Sequence, residues 1–529
     1  MNTVKDIVIF GGKKGADKPQ YTFYNFDGEV EMKTFAQVNY DLTGLGQYLY
    51  KLGLRGKKVA ILSENSYYWI ACYFSIITGK ITAVPMDPKL PDDDIIDIMI
   101  RSGCNAIYYS EDFKDTVEKI KKTDGVVIEQ YIKIEDFYSM VEEGHNEVKN
   151  GVESYLEDEV LPSDLAFLVY TSGTTGKSKG VMLSQENVAA DSVASCRVMT
   201  GGPAIGFLPL HHAFSWVGAL FSGNLLTEWG FICRSLKDIQ KDMNTYHPQN
   251  FSAVPLAVET IYKKIWFTAK KSGREEMLKK GLKISNFLLK LGIDKRRKIF
   301  SEILNNLGGN LEMIVCGGAY LDEQYEKGME AFGIKIINGY GITECSPAVT
   351  CNRLDAYKVG SVGIPLPCNE IKIKDPDEDG IGEICVKGKN VMVGYYNDPE
   401  ATAEVFDGDW FLTGDYGYID EDGFLFFKGR KKNLIILSNG KNVSPEEIED
   451  KLSTIDYVKE VVVYEEKGYI TAEFFLDTVE TPDAKGRIKA DVNEINRKMP
   501  SYKQVTRIKT RDNEFPKTTT LKILRDYKK

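Results

Sequence analysis

Residues 168–183 of the chain read LVYTSGTTGKSKGVML, and this stretch decides the fold. The apolar run before its loop predicts a buried strand, and KGVML after the loop predicts a second one. Between the two strands, Gly173 and Gly176 allow positive φ and bring bare backbone close to a ligand. Threonine and serine hydroxyls add donors, and Lys177 and Lys179 add positive charge. Such a loop is suited to binding a polyphosphate.

Two other interpretations of this loop are weaker. A flexible Gly/Ser/Thr linker rarely lies between two apolar strands with lysines in the turn. A Walker loop, G-x-x-x-x-G-K-[ST], matches Gly176, Lys177 and Ser178, but its first glycine would fall on Thr171. The loop is also followed by a strand pattern instead of a helix, which disfavours a P-loop NTPase.

Composition excludes several classes of function. The chain has 529 residues, enough for more than one domain, with 43% hydrophobic and 27% charged residues. Its net charge of −10 argues against general nucleic-acid binding. Nine cysteines without a C-x-x-C pair indicate reduced thiols, and four histidines disfavour a multi-histidine metal site.

Neither terminal nor internal apolar runs indicate a targeting or membrane-spanning segment. The N-terminal run is too short for a signal peptide, and the stretch 67–77 is too short to span a bilayer. We therefore expect a cytoplasmic protein.

Residues 1–160 alternate strand-like and helix-like runs. Strands are predicted at 57–62, 81–85 and 105–109, and a helix at 67–78. Strands that alternate with helices imply an α/β protein whose parallel sheet is covered on both faces.

A candidate apolar pocket lies in residues 206–226, GFLPLHHAFSWVGALFSGNLL. We predict a strand that ends near Pro209 and a helix from Trp216 to Leu226. Gly218, Ala219 and Gly223 are small residues on that helix, which fits close packing and room for an apolar ligand equally well. The stretch contains no acidic residue, so a buried substrate ammonium group would lack a partner. A ligand without an ammonium group is therefore favoured.

Three later blocks carry groups suited to a nucleotide. A predicted strand delivers the Gly-Gly-Ala turn 317–319 to a sheet edge, a weak signal by itself. In NGYGITECSP, Tyr340 offers a face to a purine, Thr343 a hydroxyl to a phosphate and Glu344 a carboxylate to Mg²⁺. In the later T-G-D, Asp415 can accept from two ribose hydroxyls. Taken singly, Glu344 also fits a structural ion pair, and T-G-D an ordinary turn.

Residues 263–310 are rich in lysine and arginine with apolar residues at rough helical spacing, which predicts two or three short helices. The charge pattern favours the solvated face of a helical insertion. Peripheral contact with an anionic membrane is the alternative.

Taken together, these motifs resemble those of the adenylate-forming superfamily: acyl-CoA synthetases, firefly-type luciferases and peptide-synthetase adenylation domains. Residues 171–180 are similar to T-S-G-T-T-G-x-P-K-G, and residues 338–347 contain Y-G-x-T-E. FPKTTTLKILR, residues 515–525, resembles P-K-T-x-x-G-K-I-x-R. The PLHH stretch resembles the acyl-pocket motif P-L-x-H, and Trp216 resembles the tunnel-gating tryptophan of long-chain acyl-CoA synthetases.

The chain departs from the family pattern at three places. Ser178 and Tyr320 each replace a proline, and Leu521 replaces a glycine. If that glycine is left-handed, leucine there costs about 1–2 kcal/mol unless the turn changes.

The resemblance implies a fold and a set of roles. The fold is α/β, with a large multi-sheet N-terminal domain, 1–430, that binds ATP and the acyl group, and a small mobile α+β domain, 431–529. The implied site residues are, for catalysis, Lys522, Glu344, Thr343 and His212; for ATP and AMP, Thr171, Ser172, Gly173, Thr174, Thr175, Gly176, Lys179, Gly318, Ala319, Tyr340, Gly341, Thr343, Asp415 and Arg430; for the acyl pocket, His212, Trp216 and Gly218; for the hinge, Lys432; and for the metal, Glu344.

The chain resembles bacterial long-chain fatty acyl-CoA synthetases more than other branches. The implied reaction joins a fatty carboxylate to MgATP, releasing pyrophosphate, and passes the acyl group from acyl-AMP to the thiol of coenzyme A. Rotation about Lys432 between the steps withdraws Lys522. The alternatives are a fatty acyl-AMP ligase that loads an acyl carrier protein, a P-loop NTPase, and a non-catalytic relative that binds acyl groups or nucleotides.

Overall fold

The structure is a computed structural model of the 529-residue chain. It describes residues 1–171, 178–196, 202–226, 229–233, 238–437, 442–517 and 523–525. Among these residues, no helix has the length and apolarity needed to cross a membrane.

The described strands, in chain order, are β1 (Pro19–Tyr24), β2 (Val30–Thr34), β3 (Lys58–Leu62), β4 (Thr82–Pro85), β5 (Ala106–Tyr109), β6 (Gln130–Lys133), β7 (Leu165–Thr171), β8 (Lys179–Ser184), β9 (Ala204–Gly206), β10 (Gly230–Ile232), β11 (Asn250–Ala253), β12 (Met313–Cys316), β13 (Lys335–Gly341), β14 (Ala348–Cys351), β15 (Ile364–Pro365), β16 (Asn369–Lys374), β17 (Gly382–Gly388), β18 (Gly394–Tyr395), β19 (Phe406–Asp407), β20 (Trp410–Ile419), β21 (Leu425–Arg430), β22 (Ile435–Ile436), β23 (Asn442–Val443), β24 (Val458–Glu466), β25 (Tyr469–Leu476) and β26 (Arg507–Arg511).

The described α-helices are α1 (Val4–Gly15), α2 (Phe35–Lys51), α3 (Tyr67–Ile77), α4 (Asp92–Ser102), α5 (Lys114–Lys121), α6 (Phe137–Lys149), α7 (Gln185–Cys196), α8 (Ala213–Ser215), α9 (Ser222–Leu226), α10 (Ile239–Tyr246), α11 (Pro255–Lys271), α12 (Glu275–Lys290), α13 (Arg296–Ile299), α14 (Ser301–Asn306), α15 (Glu323–Ala331), α16 (Pro399–Glu404), α17 (Pro445–Ser453) and α18 (Ala484–Asn496).

The first sheet confirms the α/β prediction for the N-terminal part. Its strand order is β18-β8-β7-β4-β3-β5-β6, and the five strands from β7 to β6 run parallel. The predicted strand pair around the loop is present, because β7 and β8 form an antiparallel hairpin. Every residue of α3 is buried, so the apolar run 67–77 belongs to the core.

Most segments of the candidate site follow strands of the second sheet. Its order is β15-β14-β13-β12-β11-β9-β10-β1-β2, and the strands from β13 to β1 run parallel. Carboxyl ends of parallel strands meet at one edge of a sheet, where α/β proteins bind ligands. The segments that follow β9, β12 and β13 therefore share this edge.

A third sheet carries the T-G-D block. Its order is β16-β17-β20-β19, and β21 pairs with β20. In the β20–β21 ladder, Asp415 lies directly opposite Arg430. The pairing therefore brings together two residues that are fifteen positions apart in the chain.

The C-terminal part is the small α+β domain that the sequence predicts. It contains the pair β22–β23, the sheet β24-β25-β26 and helices α17 and α18 around a separate apolar core. A single turn of 3₁₀-helix, Lys431–Asn433, joins it to β21. The boundary after Arg430 and the hinge at Lys432 remain predictions.

Two helical predictions need correction. The helix that was predicted from Trp216 is divided, because a π-helical segment, Trp216–Phe221, lies between α8 and α9. The basic region does not form only short helices, since α11 has 17 residues and α12 has 16. The helix α11 begins at Pro255, before the basic region that starts at residue 263, because proline is favoured in the first turn of a helix.

Candidate active site

The predicted phosphate loop lies between β7 and β8, as the sequence predicts. Thr171 ends β7, and its backbone pairs with Lys179 at the start of β8. The predicted contacts Ser172, Gly173, Thr174, Thr175 and Gly176 lie outside the described residues.

Arg101 of α4 fixes the end of this loop, a role that the sequence did not indicate. Its guanidinium donates to the Ser178 carbonyl at 2.6 Å and to Ser178 Oγ at 2.8 Å. The same group lies over the Tyr170 ring, 5.0 Å from its centroid. Ser178 replaces the family proline, so these hydrogen bonds supply a restraint on the loop that the missing ring would have given.

The Gly-Gly-Ala turn follows β12 at the shared sheet edge. Gly318 has φ +87°, a conformation that glycine adopts at little cost. Gly317 is buried, and an added Cβ would make ordinary contacts, 3.4 Å from the Gly339 carbonyl oxygen and 3.5 Å from the Phe214 ring. Gly318 and Ala319 are exposed, so both are open to a ligand.

The Y-G-x-T-E block follows the neighbouring strand, β13. Gly341 is required there, because an added Cβ would collide with the Pro347 carbonyl oxygen. Thr343 and Glu344 then form a 3₁₀ turn, and the Glu344 carbonyl accepts from the Met392 amide at 2.8 Å.

Tyr395 of β18 orients the Glu344 carboxylate. Its hydroxyl donates to Glu344 Oε1 at 2.9 Å, and the Lys179 ammonium lies 4.7 Å from its ring centroid. Burial, together with the charge of Glu344, raises the pKa of Tyr395 well above its ordinary value, so the hydroxyl remains a donor. Tyr395 thus links the end of the phosphate loop to the predicted metal ligand.

Asp415 is fixed between a phenol and a guanidinium. Tyr340 donates its hydroxyl to Oδ2 at 2.8 Å, and Arg430 Nε lies 3.0 Å from Oδ1. Burial lowers the pKa of Arg430, but the charges of Asp415, Tyr340, Glu344 and Glu446 together outweigh this effect and raise the pKa above its ordinary value. The structure therefore brings three predicted nucleotide ligands, Tyr340, Asp415 and Arg430, into direct contact.

Asn390 holds the turn that carries Glu344 through hydrogen bonds. The sequence did not indicate this role of Asn390. Asn390 Nδ2 donates to the carbonyls of Cys345 and Ala348, both at 2.8 Å, and to Asp191 Oδ1 at 3.0 Å. Burial raises the pKa of Asp191 well above its ordinary value, which favours a neutral carboxyl group.

The residues of the predicted acyl pocket follow β9, which ends at Gly206 instead of near Pro209 as predicted. His212 immediately precedes α8, and Gly218 falls within the π-helical segment. Trp216 is fully buried, donates from Nε1 to the Leu210 carbonyl at 2.9 Å and stacks on Phe167 at 4.6 Å.

A cavity of about 90 Å³ lies beside this segment, and it is apolar. Its lining includes Phe207, Leu220, Gly223, Phe231 and Phe251, and no charged side chain is among the described residues that line it. Trp216 is not part of that lining, although its neighbours Leu210 and Ser215 are. Gly223 does face the cavity, which supports the interpretation of a small residue that leaves room for a ligand.

The C-terminal domain approaches the site through α17. Gly429, next to Arg430, lies so close to Ser444 at the N-cap of α17 that an added Cβ would collide with its hydroxyl. At the other end of α17, the Ser453 carbonyl accepts from Lys263 Nζ at 3.0 Å and from the Tyr325 hydroxyl at 3.3 Å. Lys522 lies outside the described residues, in the segment between the bridge partners Lys517 and Ile523.

Comparison with known proteins identifies the family. Residues 12–396 match the family described as AMP-binding enzyme, and residues 432–527 match the AMP-binding enzyme C-terminal domain. Long-chain-fatty-acid–CoA ligase 5 of Mus musculus is 30% identical over 85% of this chain and 71% of its own length. A long-chain-fatty-acid–CoA ligase of Escherichia coli O6:H1 is 29% identical over 96% of this chain and 91% of its own.

Solved structures share the fold. An anthranilate CoA ligase in complex with anthranoyl-AMP superposes with a TM-score of 0.80 at 21% identity, covering 98% of this chain and 95% of its own. The O-succinylbenzoate coenzyme A synthetase of Bacillus subtilis, in complex with ATP and magnesium, gives 0.75 at 23% identity, covering 98% of each chain. The match to the family model over residues 12–396 shows that the chain belongs to the AMP-binding enzyme family. Within it, the protein is an AMP-forming acid–thiol ligase.

Proposed function

We propose that this protein activates a long-chain fatty acid with ATP and transfers the acyl group to coenzyme A. The proposal rests on an apolar cavity beside the segment that follows β9, and no charged side chain is among the described residues that line it. The strand β13, which carries Tyr340, belongs to the same sheet as the lining strands β9, β10 and β11. An aliphatic tail gains about 0.8 kcal/mol for each buried CH₂ group, whereas an ammonium group in such a cavity would lack a partner. The long-chain fatty acid ligases similar to this chain support the same substrate.

In the first step the fatty carboxylate attacks the α-phosphorus of ATP, forms acyl-AMP and releases pyrophosphate. Because two anions must meet, the barrier is largely electrostatic and positional. Asp415, held by Tyr340 and Arg430, positions the ribose. Lys179 and the loop that precedes it hold the departing pyrophosphate. Lys522 offsets the charge at the reacting centre.

The site also suits Mg²⁺ that arrives with the nucleotide. Glu344 uses Oε1 to accept from Tyr395, and its second oxygen can bind a cation that is shared with substrate phosphates. Among the described residues, no group of three His, Cys, Asp or Glu side chains could hold a metal without substrate. When bound, the ion would neutralise charge on the phosphates.

In the second step the thiol of coenzyme A attacks the acyl-AMP carbonyl and releases AMP. The C-terminal domain rotates about Lys432 between the steps and withdraws Lys522. All nine cysteines are free thiols, and the substrate thiol supplies the sulfur that the reaction needs.

The acceptor and the location are also proposals. The fatty acid ligases similar to this chain favour coenzyme A, and an acyl carrier protein is the alternative acceptor. An assay that offers each acceptor separately to the acyl-AMP-loaded enzyme distinguishes them. We place the protein in the cytoplasm.

The substrate is tested by pyrophosphate release measured with fatty acids of increasing length. We expect kcat/KM to rise steeply with each added CH₂ until the pocket is filled. A profile that is flat, or that favours short or aromatic acids, would contradict a fatty acid pocket.

A further inference from the structure

The exposed face of α12 carries apolar side chains where a solvated helix would carry polar ones. Met277, Ile284, Phe287 and Leu291 are 62, 56, 63 and 59% exposed. Their spacing of seven, three and four residues places them on one face of the helix and the residue after it. We call these four residues the α12 patch.

The opposite face attaches α12 to the protein. Leu278 and Ser285 are buried, and Leu278 packs in a cluster with Phe300 and Phe332. The helix therefore already has a packed face, and the α12 patch is a second apolar face that points away from it. Contiguous exposed apolar residues of this kind mark interaction sites.

Lysines surround the patch. Lys280 lies within the apolar row, and Lys283 and Lys290 run beside it, all three exposed. Residues 263–298 contain thirteen lysines and arginines and three acidic side chains, a net charge of +10, whereas the whole chain has −10. The positive charge is therefore concentrated in this segment.

We propose that the α12 patch docks on the surface of an anionic lipid bilayer. Apolar side chains that are interleaved with lysines suit the headgroup boundary, because the apolar groups enter the acyl region while the ammonium groups remain among phosphates. A second copy of this chain is a poorer occupant, since a symmetric contact would oppose two strongly basic faces. The inference does not depend on the proposed substrate, because it concerns a surface outside the candidate site.

The test is co-sedimentation of the full chain with lipid vesicles. The vesicles contain either phosphatidylcholine alone or equal parts of phosphatidylcholine and phosphatidylglycerol. We expect at least about tenfold stronger partitioning onto the anionic vesicles, weakening as salt is added. Equal partitioning onto both vesicles, or none onto either, would overturn the proposal.

Paired variants locate the contact. Ile284→Gln/Phe287→Gln should lower partitioning onto anionic vesicles about tenfold while the melting temperature stays near that of the parent. Leu354→Gln/Val479→Gln is the matched control, because both residues are exposed, at 55 and 83%, and lie on other parts of the chain. Equal partitioning of the two double variants would overturn the assignment to α12. So would a parent oligomer that only the α12 variant dissociates, since the patch would then be a protein interface.

Discussion

At the scale of single residues, the site depends on side chains that hold other side chains. Tyr395 orients Glu344, Arg101 restrains Ser178, and Asn390 supports the turn that carries Glu344. The partners in these contacts lie 51, 77 and 45 positions apart in the chain, so no local motif could reveal the contacts. The predicted ligands were recognisable from their motifs, whereas the residues that position them were not.

We expect Tyr395→Phe to raise the Mg²⁺ concentration needed for half-maximal adenylation about tenfold. The variant removes the hydroxyl that orients the Glu344 carboxylate, and loss of such a supporting contact weakens a metal site by about that much. Tyr396→Phe is the control, because the neighbouring hydroxyl contacts Lys58 instead. The same Mg²⁺ dependence in both variants would show that Tyr395 does not position Glu344.

His211 gives an expectation for stability against pH. Burial, together with the charge of Lys89, lowers the pKa of His211 to about 3, and Nε2 lies 3.6 Å from the Asp87 carboxylate, beyond hydrogen-bonding distance. Below pH 6.5 the unfolded chain therefore binds a proton that the folded chain does not, and stability falls as the pH is lowered from 6.5 towards 3.

This contribution should disappear in His211→Gln. It amounts to at most about 1.4 kcal/mol for each pH unit. Urea denaturation at several pH values between 7 and 4 measures it as the difference in slope between parent and variant. Parallel slopes would contradict a neutral buried imidazole.

At the scale of elements, apolar periodicity predicted the strands well and the helices less well. The run before the phosphate loop became β7, and the strands at 57–62 and 105–109 appear as β3 and β5 with one end residue lost from each. The sequence did not indicate the lengths of α11 and α12, because the basic residues that fill this region do not mark where a helix begins or ends. The short strand β18 shows no apolar periodicity in the sequence and was not predicted. Its pairing with β8 nevertheless brings Tyr395 into the site.

The segment around Trp216 provides a prediction at this scale. We expect Trp216→Ala to lower the free energy of unfolding by about 3–5 kcal/mol, because the side chain is fully buried and stacked on Phe167. It should also alter the dependence of kcat/KM on chain length, since Leu210, which accepts its indole hydrogen bond, lines the cavity. Chemical denaturation and assays with a short and a long fatty acid measure the two effects. If the variant is destabilised but its chain-length profile is unchanged, Trp216 is a core residue and not a gate.

At the scale of the whole molecule, the order of motifs predicted the two domains, but not how their sheets are joined. Strand order depends on crossovers such as β18 returning to β8, and these follow from three-dimensional packing. The α17 helix touches both β21 and α11 across the predicted boundary. A rotation about Lys432 would have to break these contacts.

We expect Lys522→Ala to lower the rate of acyl-AMP formation about 10²–10³-fold and to leave thioester formation from supplied acyl-AMP unchanged. The motif resemblance assigns this lysine to the first step only. Lys485→Ala is the control, an exposed lysine of the same domain that pairs with Asp512. Equal loss in both half-reactions would contradict the rotation.

The central claim is that one site joins a fatty acid to a thiol by way of AMP. The most direct measurement incubates the protein with a long-chain fatty acid, MgATP and coenzyme A, and quantifies every product by liquid chromatography and mass spectrometry. We expect acyl-CoA, AMP and pyrophosphate in equal amounts, with acyl-AMP accumulating when coenzyme A is omitted. Formation of ADP and phosphate, or consumption of ATP without any acyl product, would contradict it.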